Sequence, residues 1–372
     1  MAKVLILANL AAGIYSFRNE LLIRLVKEGY EVVLSVPDDT RDPEFETEGV
    51  RVVHTKISRR GMNPLRDLRL YVDYRQLLKK ERPDIVLTYT IKPNIYGGYA
   101  CRKLNIPYVT TITGLGSTFE QGGVILKLVV YMYRKALKEC SCLVFQNDEN
   151  RSAFETHHIY GKKHITVNGS GVNLEKNAPA PYPGHKEDGI TRFAFIGRIM
   201  REKGIDEYLK AARRLHEEYG DRVSFSAIGF FEDQYEETIR RAEQDGILRY
   251  IPFTKEIRPL MIEADVIVNP SYHEGMSNVL MEAAATARPV VASDISGCRE
   301  LVSDGESGYL AGARDEMSLI RAMEQFMKRG AEERAAMGLA GRKLMEEHFD
   351  RNRIVDTYVR EIHEAIGRPD NH

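Results

Sequence analysis

The chain of 372 residues contains only four cysteines, Cys101, Cys140, Cys142 and Cys298. None of them forms a Cys-x2-Cys pair, and none has an obvious histidine partner, so the pattern favours neither a zinc site nor a disulfide framework. We expect buried thiols in a reducing cytosol and no bound metal ion.

The chain also lacks a long apolar segment. No window reaches 18 apolar residues, and the N-terminus leads into a predicted strand without a charged leader or a cleavable apolar region. We therefore expect a cytoplasmic protein that does not cross a membrane. A hydrophobic content of 43% with 29% charged residues is typical of a globular protein, and 372 residues are too many for one ordinary core but suit two domains.

Short apolar strands alternate with helical patterns in both halves of the chain, which is typical of parallel sheets covered by helices. The predicted strands are residues 4–8, 32–36, 84–89, 108–113 and 143–146, then 193–196, 223–228, 265–269 and 289–292. A turn-rich segment with three prolines predicts a linker. The predicted organisation is a first domain over residues 1–175, a linker over 176–189, a second domain over 190–350 and a C-terminal segment over 351–372, with a last helix over about 353–366.

Charge is distributed unevenly along the chain. Residues 1–175 hold 25 Lys and Arg against 19 Asp and Glu, whereas residues 176–372 hold 28 against 35. The excess is concentrated between Arg51 and Lys138, where 17 basic residues accompany five acidic ones. These basic residues form two groups, Arg59, Arg60, Arg66, Arg69, Arg75, Lys79 and Lys80, and then Lys127, Arg134, Lys135 and Lys138.

This basic excess predicts a footprint for an anionic membrane surface, since each basic residue near such a leaflet adds about 1 kcal/mol of attraction. The alternative is a set of ordinary amphipathic helices, with Arg and Lys in water and Val, Leu and Tyr in the core. No basic-aromatic module accompanies the charge, so nucleic acid is not expected as a partner. We expect peripheral association with the inner face of the cell membrane.

Two carboxylates, Glu274 and Glu282, stand eight positions apart around the predicted start of a helix. Ser277 is the predicted N-cap, and the following turn contains no acidic residue to compete for the positive end of the helix. A diphosphate group suits such a helix terminus. The alternative to a binding site is that one glutamate is solvated and the other stabilises the helix dipole. For an isolated pair of glutamates this alternative is the commoner one.

A basic pair, Arg198 and Lys203, follows another predicted strand and is separated by five residues. Gly197 and Gly204 punctuate this loop, so both cationic groups can converge while the backbone comes close to a ligand. Charge-assisted contacts from such a pair would neutralise a bound diphosphate. Simple solvation is the alternative for an Arg and a Lys at a helix entrance.

Taken together, these segments resemble family 4 glycosyltransferases, which are retaining enzymes of GT-B fold. The resemblance is carried by residues 269–301, by Phe195 to Gly204 and by the first N-terminal loop from Asn9 to Glu20. It implies an α/β GT-B fold with two Rossmann-like parallel-sheet domains that face a cleft, and a C-terminal helix that crosses back to the first domain. It also implies a sugar-nucleotide donor and a reaction without a metal ion or other cofactor.

The resemblance assigns roles to individual residues. Glu282 would hydrogen-bond the nucleotide ribose, Glu274 would face the donor sugar, and the catalytic set would be Glu274, Arg198 and Lys203. The backbone near the donor phosphates would come from Gly13, Gly197, Gly275, Met276, Ser277 and Asn278. No residue is assigned as the general base, because a histidine beside a strand end, such as His273, is more often a structural donor than a catalyst.

One departure from the family pattern narrows the expected donor and acceptor. Many relatives carry a histidine at the end of the fifth strand, where this chain has a threonine within the segment Thr111 to Gly116. With Thr88 to Tyr99 and Gly13 to Arg18, this variant resembles a branch that makes capsule and lipid-linked oligosaccharides and includes the N-acetylgalactosaminyltransferase of bacterial protein N-glycosylation. The branch implies a UDP-N-acetylhexosamine donor and a polyprenyl-diphosphate-linked acceptor, for whose diphosphate the candidates are Arg18, Arg59, Arg60 and Lys92.

Three other functions remain to be distinguished. A nicotinamide-dependent dehydrogenase would need Gly-x-Gly-x-x-Gly after a strand, and the first loop offers only Ala11-Ala12-Gly13. A UDP-sugar epimerase shares the architecture and the nucleotide, but the combination of two glutamates with Arg198 and Lys203 favours transfer. A non-catalytic sugar-nucleotide binder would need neither Gly13 nor a basic first domain.

Overall fold

The computed structural model describes residues 1–58, 63–115, 119, 122–183 and 189–368. The described residues form two compact α/β units. Unit 1 combines Met1–Ser170 with the C-terminal segment that begins at Arg351, and unit 2 is Gly171–Asp350. Each unit is built on one parallel sheet, which confirms the fold class predicted from the alternation of strands and helices.

The sheet of unit 1 has seven strands among the described residues, in the order β3-β2-β1-β4-β5-β6-β7. The strands are β1 (Lys3–Leu7), β2 (Glu31–Val36), β3 (Arg51–His54), β4 (Ile85–Tyr89), β5 (Tyr108–Ile112), β6 (Cys142–Phe145) and β7 (His164–Thr166). The helices before unit 2 are α1 (Ala11–Lys27), α2 (Asp42–Thr47), α3 (Pro64–Glu81), α4 (Gly98–Leu104), α5 (Gly123–Leu137) and α6 (Asp148–Thr156). A π-helical turn, Pro93–Gly97, leads into α4.

Helices cover both faces of this sheet. On one face α3, α4 and α5 pack against the strands through residues such as Tyr74, Cys101 and Tyr133. On the other face α1 and α2 do so through residues such as Leu22 and Phe45. Because each helix connects parallel strands, its N-terminus lies at the edge of the sheet where the strands have their carboxyl ends.

Unit 2 has a six-stranded parallel sheet among the described residues, in the order β10-β9-β8-β11-β12-β13. Its strands are β8 (Thr191–Ile196), β9 (Val223–Gly229), β10 (Arg249–Pro252), β11 (Val266–Asn269), β12 (Val290–Ser293) and β13 (Gly308–Ala311). Its helices are α7 (Ile205–Tyr219), α8 (Glu236–Gln244), α9 (Arg258–Glu263), α10 (Asn278–Ala285), α11 (Glu316–Met327) and α12 (Ala331–His348). Two apolar clusters, one on each face of the sheet, form its core.

The described part of the predicted linker is anchored to unit 2. Arg288, which is fully buried, donates to the backbone carbonyls of Ala180 at 3.1 Å and of Pro181 at 2.8 Å. The chain already joins this unit before the turn-rich segment, since the N–H of Val172 donates to the carbonyl of Phe349 at 2.8 Å. The division between the units therefore lies at residues 170 and 171, whereas composition places it over 176–189, because proline and glycine mark turns rather than independence from a core.

The last helix, α13 (Arg351–Ile366), belongs to unit 1. Apolar residues along one face of the helix, including Tyr358 and Ile362, join the cluster around α1 and the central strands. Arg351 binds both carboxylate oxygens of Glu20 at 3.0 Å. The chain thus returns to its first unit after completing the second.

The predicted strands are all present, with ends within two residues of the prediction, but four short strands were not predicted. These are β3, β7, β10 and β13, and they form the edges of the two sheets. The predicted first loop is also wrong in part, because α1 begins at Ala11 and places Gly13 inside its first turn.

Candidate active site

In unit 2 the loops after β8 and β11 meet at the carboxyl edge of the sheet. These strands are neighbours at the centre, and the strand order reverses at this point, because β8 pairs with β9 on its other side. Ligands of open α/β sheets bind outside such a switch point. The backbone N–H of Tyr272 donates to the carbonyl of Glu202 at 2.9 Å, so the two loops are joined directly.

Lys203 and Glu274 form an ion pair at this junction. The Nζ of Lys203 donates to Oε1 of Glu274 at 2.6 Å, and the hydroxyl of Ser271 donates to the same oxygen at 2.9 Å. The two charged side chains keep 20% and 13% of their exposure, so they face solvent from a largely covered position. The structure therefore brings together two of the residues that the sequence assigns to the site.

Two glycines allow the backbone segments around Glu274 to pack closely. Gly204 has φ +73°, and a Cβ there would lie 2.1 Å from the carbonyl oxygen of Pro270. Gly297 has φ +84°, and its Cβ would lie 2.8 Å from the carbonyl oxygens of both Glu274 and Gly275. Any side chain at either position would displace the backbone that holds Glu274.

The helix that follows, α10, begins as the sequence predicts. The hydroxyl of Ser277 caps it by accepting from the N–H of Leu280, and Asn269 donates to that hydroxyl at 2.8 Å. The first turn, which begins at Asn278, contains no acidic residue. The positive end of the helix dipole therefore lies beside the Lys203–Glu274 pair, with Gly275 and the buried Met276 in the connecting loop.

Arg198 and Lys203 have different partners. Arg198 follows Gly197 at the end of β8 and pairs with Glu232, which lies in the segment after β9. Glu232 was not predicted, since no motif surrounds it, and the only sequence signal is an acid shortly after a strand. Glu282 lies half-buried in the second turn of α10.

His273 contacts another residue that was not predicted. The guanidinium of Arg314 lies 3.3 Å from Nε2 of His273 and 4.6 Å from the ring centre of Tyr272. Tyr272 in turn donates its hydroxyl to Glu207 at 2.8 Å, and burial, together with that carboxylate, raises the pKa of Tyr272 to about 12. Tyr272 is therefore neutral near pH 7 and acts as a hydrogen-bond donor.

In unit 1, Gly13 lies inside helix α1 rather than in a loop. A Cβ on Gly13 would touch only the Leu10 side chain, at 3.7 Å, which is an ordinary contact. The N–H of Ala11, at the start of this helix, donates to a carboxylate oxygen of Asp38 at 3.2 Å. Neither space nor backbone angle within this unit demands a glycine at position 13.

The two acceptor-binding candidates among the described residues, Arg18 and Lys92, have different partners. Lys92 forms an ion pair with Asp67 at 2.8 Å, and both side chains are mostly buried. Arg18 is 6% exposed and lies between the rings of Tyr89 and Tyr358, at 5.3 and 5.5 Å from their centres. Arg59 and Arg60 lie outside the described residues.

The part of the chain that the structure describes contains neither a metal-binding cluster nor a membrane-spanning helix. It contains no group of three or more His, Cys, Asp or Glu side chains arranged to hold a metal ion. None of the described helices combines the length and the apolar character needed to span a bilayer.

Two family models match the chain, one in each half. The model described as "Glycosyltransferase Family 4" matches residues 17–176, and the model described as "Glycosyl transferases group 1" matches residues 191–329. The second match contains Arg198, Lys203, Glu274 and Glu282.

Curated proteins align over most of the chain. It is 24% identical over 369 residues to the N,N'-diacetylbacillosaminyl-diphospho-undecaprenol alpha-1,3-N-acetylgalactosaminyltransferase of Campylobacter jejuni, an alignment that covers 95% of this chain and 96% of that protein. It is 26% identical over 318 residues to the UDP-Gal:alpha-D-GlcNAc-diphosphoundecaprenol alpha-1,3-galactosyltransferase of Escherichia coli, with 80% of each chain covered.

Solved structures share the fold at low sequence identity. HepE of Anabaena, solved in complex with UDP-glucose, superposes with a TM-score of 0.78 at 18% identity, covering 98% of this chain and all of that one. Sucrose-phosphate synthase of Thermosynechococcus elongatus superposes with a TM-score of 0.79 at 16% identity, and the superposition covers 99% of this chain and 100% of the synthase chain. The chain therefore belongs to the family 4 glycosyltransferases and has their GT-B fold, with two Rossmann-like parallel-sheet domains.

Proposed function

We propose that this glycosyltransferase is a retaining enzyme that transfers an N-acetylhexosamine, such as N-acetylgalactosamine, from a UDP-sugar to a polyprenyl-diphosphate-linked saccharide. The observation that carries the proposal is the ion pair of Lys203 with Glu274 beside the start of α10. A cation, a carboxylate and a helix N-terminus at one switch point suit a ligand that joins a diphosphate to a sugar.

The donor's diphosphate lies against Lys203 and the first turn of α10 in this proposal, and Arg198 contributes the second cation. When the bond between the sugar C1 and the phosphate oxygen breaks, the electron pair stays on the phosphate. A fixed cation and a helix dipole stabilise that charge without reorganising during the step. Glu282 binds the ribose, and Glu274 faces the sugar.

The acceptor hydroxyl forms the new bond to C1 on the face that the phosphate leaves, so the configuration at C1 is retained. The hydroxyl proton passes to the departing phosphate oxygen, and the products are UDP and the extended glycan. This route needs no protein base, which agrees with the engagement of His273 by Arg314. It also needs no metal ion, because Lys203 and Arg198 supply the positive charge.

A lipid-linked acceptor is supported by the two bacterial relatives, whose names specify undecaprenyl-diphosphate acceptors, and by the near-complete alignment with one of them. The same two names differ in the sugar transferred, N-acetylgalactosamine in one and galactose in the other. We prefer the N-acetylhexosamine because the alignment with the first relative spans more of the chain. The basic first half of the sequence would hold the enzyme at an anionic membrane surface, where such an acceptor resides.

The test is incubation of the purified protein with a panel of UDP-sugars and a short-chain polyprenyl-diphosphate-linked monosaccharide. We expect UDP release that depends on the acceptor, an acceptor mass increased by one N-acetylhexosamine, and an α-linkage by the NMR coupling of the new anomeric proton. Conversion of the UDP-sugar into its epimer without acceptor would identify an epimerase instead. Donor binding with no product from any pair would identify a non-catalytic binder.

A further inference from the structure

Two helices of unit 1, α3 and α5, each carry a second apolar stripe that is not part of the core. A helix on the surface of a globular protein ordinarily has one apolar stripe, which faces inward. In α3 that stripe is Leu70, Tyr74 and Leu78, and in α5 it includes Val130 and Tyr133. Both stripes are buried against the sheet.

The additional stripes follow the same helical spacing on the outer side. They consist of Leu65, Leu68 and Val72 in α3, and of Val124, Leu128 and Tyr131 in α5, with Ile125 beside them. These seven side chains are between 41% and 82% exposed. Scattered single apolar residues on a surface are normal, whereas exposed apolar side chains that repeat at helical spacing on two helices favour an interaction site.

The two stripes lie on the same layer of unit 1. Both α3 and α5 pack on the same face of the sheet, and both contact α4 and the π-helical turn before it. Most of the exposed apolar residues fall in the first two turns of their helices. Those turns lie at the carboxyl edge of the sheet, which is the edge where open α/β sheets bind ligands.

Basic side chains share the outer side with these stripes. At 100° per residue, Arg75 and Lys79 project on the same side of α3 as Leu68, and Arg69 projects near Leu65. On α5, Lys135 projects with Leu128, and Lys127 projects near Tyr131. No acidic residue occurs in α5. In α3 the carboxylates of Asp67 and Glu81 are buried and paired with Lys92 and with Arg51 and Lys3, which leaves Asp73 as the remaining acid.

We propose that the outer sides of α3 and α5 form one docking surface that inserts its apolar side chains into the interfacial region of an anionic phospholipid bilayer. Apolar side chains flanked by Arg and Lys are the pattern of a surface that lies in a membrane interface, where stems and rings enter the acyl boundary and cations meet the headgroups. The positive charge of this surface complements an anionic bilayer. The inference rests on the proposed function in that a lipid-linked acceptor gives the docking its purpose.

The docking surface also determines which edge of unit 1 faces the bilayer. Since most of the exposed apolar residues lie in the first two turns of α3 and α5, the carboxyl edge of the sheet is turned toward the lipid. The diphosphate of a polyprenyl-linked acceptor emerges at the headgroup level. Docking would thus bring that group to the ligand-binding edge of this unit without extraction of the polyprenyl chain.

The experiment uses the fact that the chain contains no tryptophan. Leu68→Trp places a single fluorescent reporter in the docking surface, and Leu339→Trp places a matched one on α12 of unit 2, where the leucine is equally exposed. Each protein is mixed, without donor or acceptor, with vesicles of phosphatidylglycerol and phosphatidylcholine that contain brominated acyl chains. We expect a blue shift and quenching of the indole fluorescence in the Leu68→Trp protein only.

A second measurement removes the apolar stripe itself. A second variant combines four substitutions, Leu65→Gln, Leu68→Gln, Val124→Gln and Ile125→Gln. It should bind the same vesicles at least about tenfold more weakly, since each apolar side chain contributes through the area that it buries. Leu339→Gln should bind like the parent. Circular dichroism should show the same helix content, because the four positions are exposed and glutamine is a good helix former.

Several outcomes would overturn the inference. Equal vesicle binding by the parent and the fourfold variant would do so, as would indole fluorescence of the Leu68→Trp protein that the brominated chains do not quench. A parent that is dimeric in solution, and that the fourfold variant makes monomeric, would assign this surface to a second copy of the chain. Transfer to a short-chain, water-soluble acceptor does not need a bilayer, so its absence would count against the proposed function and leave the vesicle results to decide on the docking surface.

Discussion

The ion pair of Lys203 with Glu274 links two loops that are 71 residues apart in the sequence. Each partner reduces the other's freedom, so the carboxylate is fixed before a ligand arrives. In the proposed reaction Lys203 has two tasks, since it positions Glu274 and also meets the diphosphate. Its removal should therefore affect binding and turnover together, whereas loss of Glu274 should affect turnover first.

Substitutions of the site residues should separate these roles. Lys203→Ala and Glu282→Ala should each raise the dissociation constant of UDP by about tenfold, because a hydrogen bond to a charged group contributes about 1.5 to 3 kcal/mol. Glu274→Ala should lower kcat about 100-fold or more with a small change in UDP affinity. Calorimetry with UDP and steady-state kinetics measure the two quantities.

A surface lysine of the same unit provides the control for these variants. Lys210 is well exposed and forms a longer ion pair with Glu316 at 3.5 Å, so Lys210→Ala should leave both constants unchanged. Unchanged kinetics in all three site variants would refute the assignment of the site. A double variant of Lys203 and Glu274 that loses less than the two single losses combined would show that the residues act as a unit.

Gly297 offers a test of the backbone that carries Glu274. Gly297→Ala should lower the free energy of unfolding and weaken UDP binding, because its Cβ would lie 2.8 Å from the carbonyl oxygens of Glu274 and Gly275. Gly305 also has a positive φ, but a Cβ there would meet nothing within 4 Å. Gly305→Ala should therefore show only the backbone strain, about 1 to 2 kcal/mol, and normal UDP binding. Equal effects of both variants on binding would contradict the packing role of Gly297.

At the residue scale the sequence identifies the site only in part. Ser277 could be predicted as an N-cap from its strand-to-helix segment, whereas Glu274 and Lys203 are singled out only by the resemblance of their segments to the family. Glu232 and Arg314 could not be predicted, since their contacts depend on which loops the sheet brings together, and no local pattern records that. The buried setting of Arg18 likewise arises from Tyr358, which is distant in sequence.

The N-terminal ends of helices α1 and α10 lie at the edges of the two sheets where ligands are expected to bind. The N-cap of α10 agrees with the sequence, because Ser277 and the acid-free turn after it form a local signal. The start of α1 differs from the prediction, because a glycine near the first turn of a helix interrupts the apolar pattern without preventing the helix. Gly13 is thus a helical residue, and the packing of unit 1 does not require so small a residue at this position.

The variant Gly13→Ala tests whether Gly13 is only a residue of helix α1 or also lies close to a bound substrate. Alanine forms helices more readily than glycine by about 0.5 to 1 kcal/mol, so the variant should be as stable as the parent or more stable. If a substrate phosphate approaches this turn, the added methyl group should lower kcat/KM by about tenfold or more. Thermal unfolding and steady-state kinetics test the two parts, and a stable variant with full activity would remove Gly13 from the site.

The edge strands show where prediction from sequence fails at the element scale. Central strands such as β4 and β11 are buried on both faces, so they form continuous apolar runs that are easily recognised. The edge strands β3, β7 and β10 instead contain only exposed and half-buried residues over three or four positions. β13 is mostly buried, but its segment Gly308–Ala311 is short and begins with glycine. Such segments resemble loops until a neighbouring strand pairs with them.

Over the whole molecule, the basic excess of the first half coincides with the exposed apolar stripes of α3 and α5. Charge alone predicts a membrane interaction that salt abolishes, because the Debye length falls to about 8 Å at physiological ionic strength. Apolar insertion adds a part that salt does not screen. The two contributions can be separated by ionic strength.

Vesicle binding should therefore decline in two stages as salt increases. From about 10 to about 150 mM salt we expect a marked loss of affinity for phosphatidylglycerol vesicles, followed by a plateau at higher salt in the parent protein. Arg69→Gln with Arg75→Gln should reduce the salt-dependent stage, and Arg213→Gln with Arg214→Gln in unit 2 should not. Binding that is independent of salt throughout would contradict the electrostatic contribution.

In the proposed reaction an activated sugar binds to unit 2 at the carboxyl ends of β8 and β11. A crystal structure of the protein with UDP tests it most directly. We predict that the β-phosphate lies within hydrogen-bond distance of Lys203 Nζ and beside the first turn of α10, and that the ribose hydroxyls contact Glu282. UDP bound elsewhere, with this edge of the sheet vacant at saturating nucleotide, would contradict it.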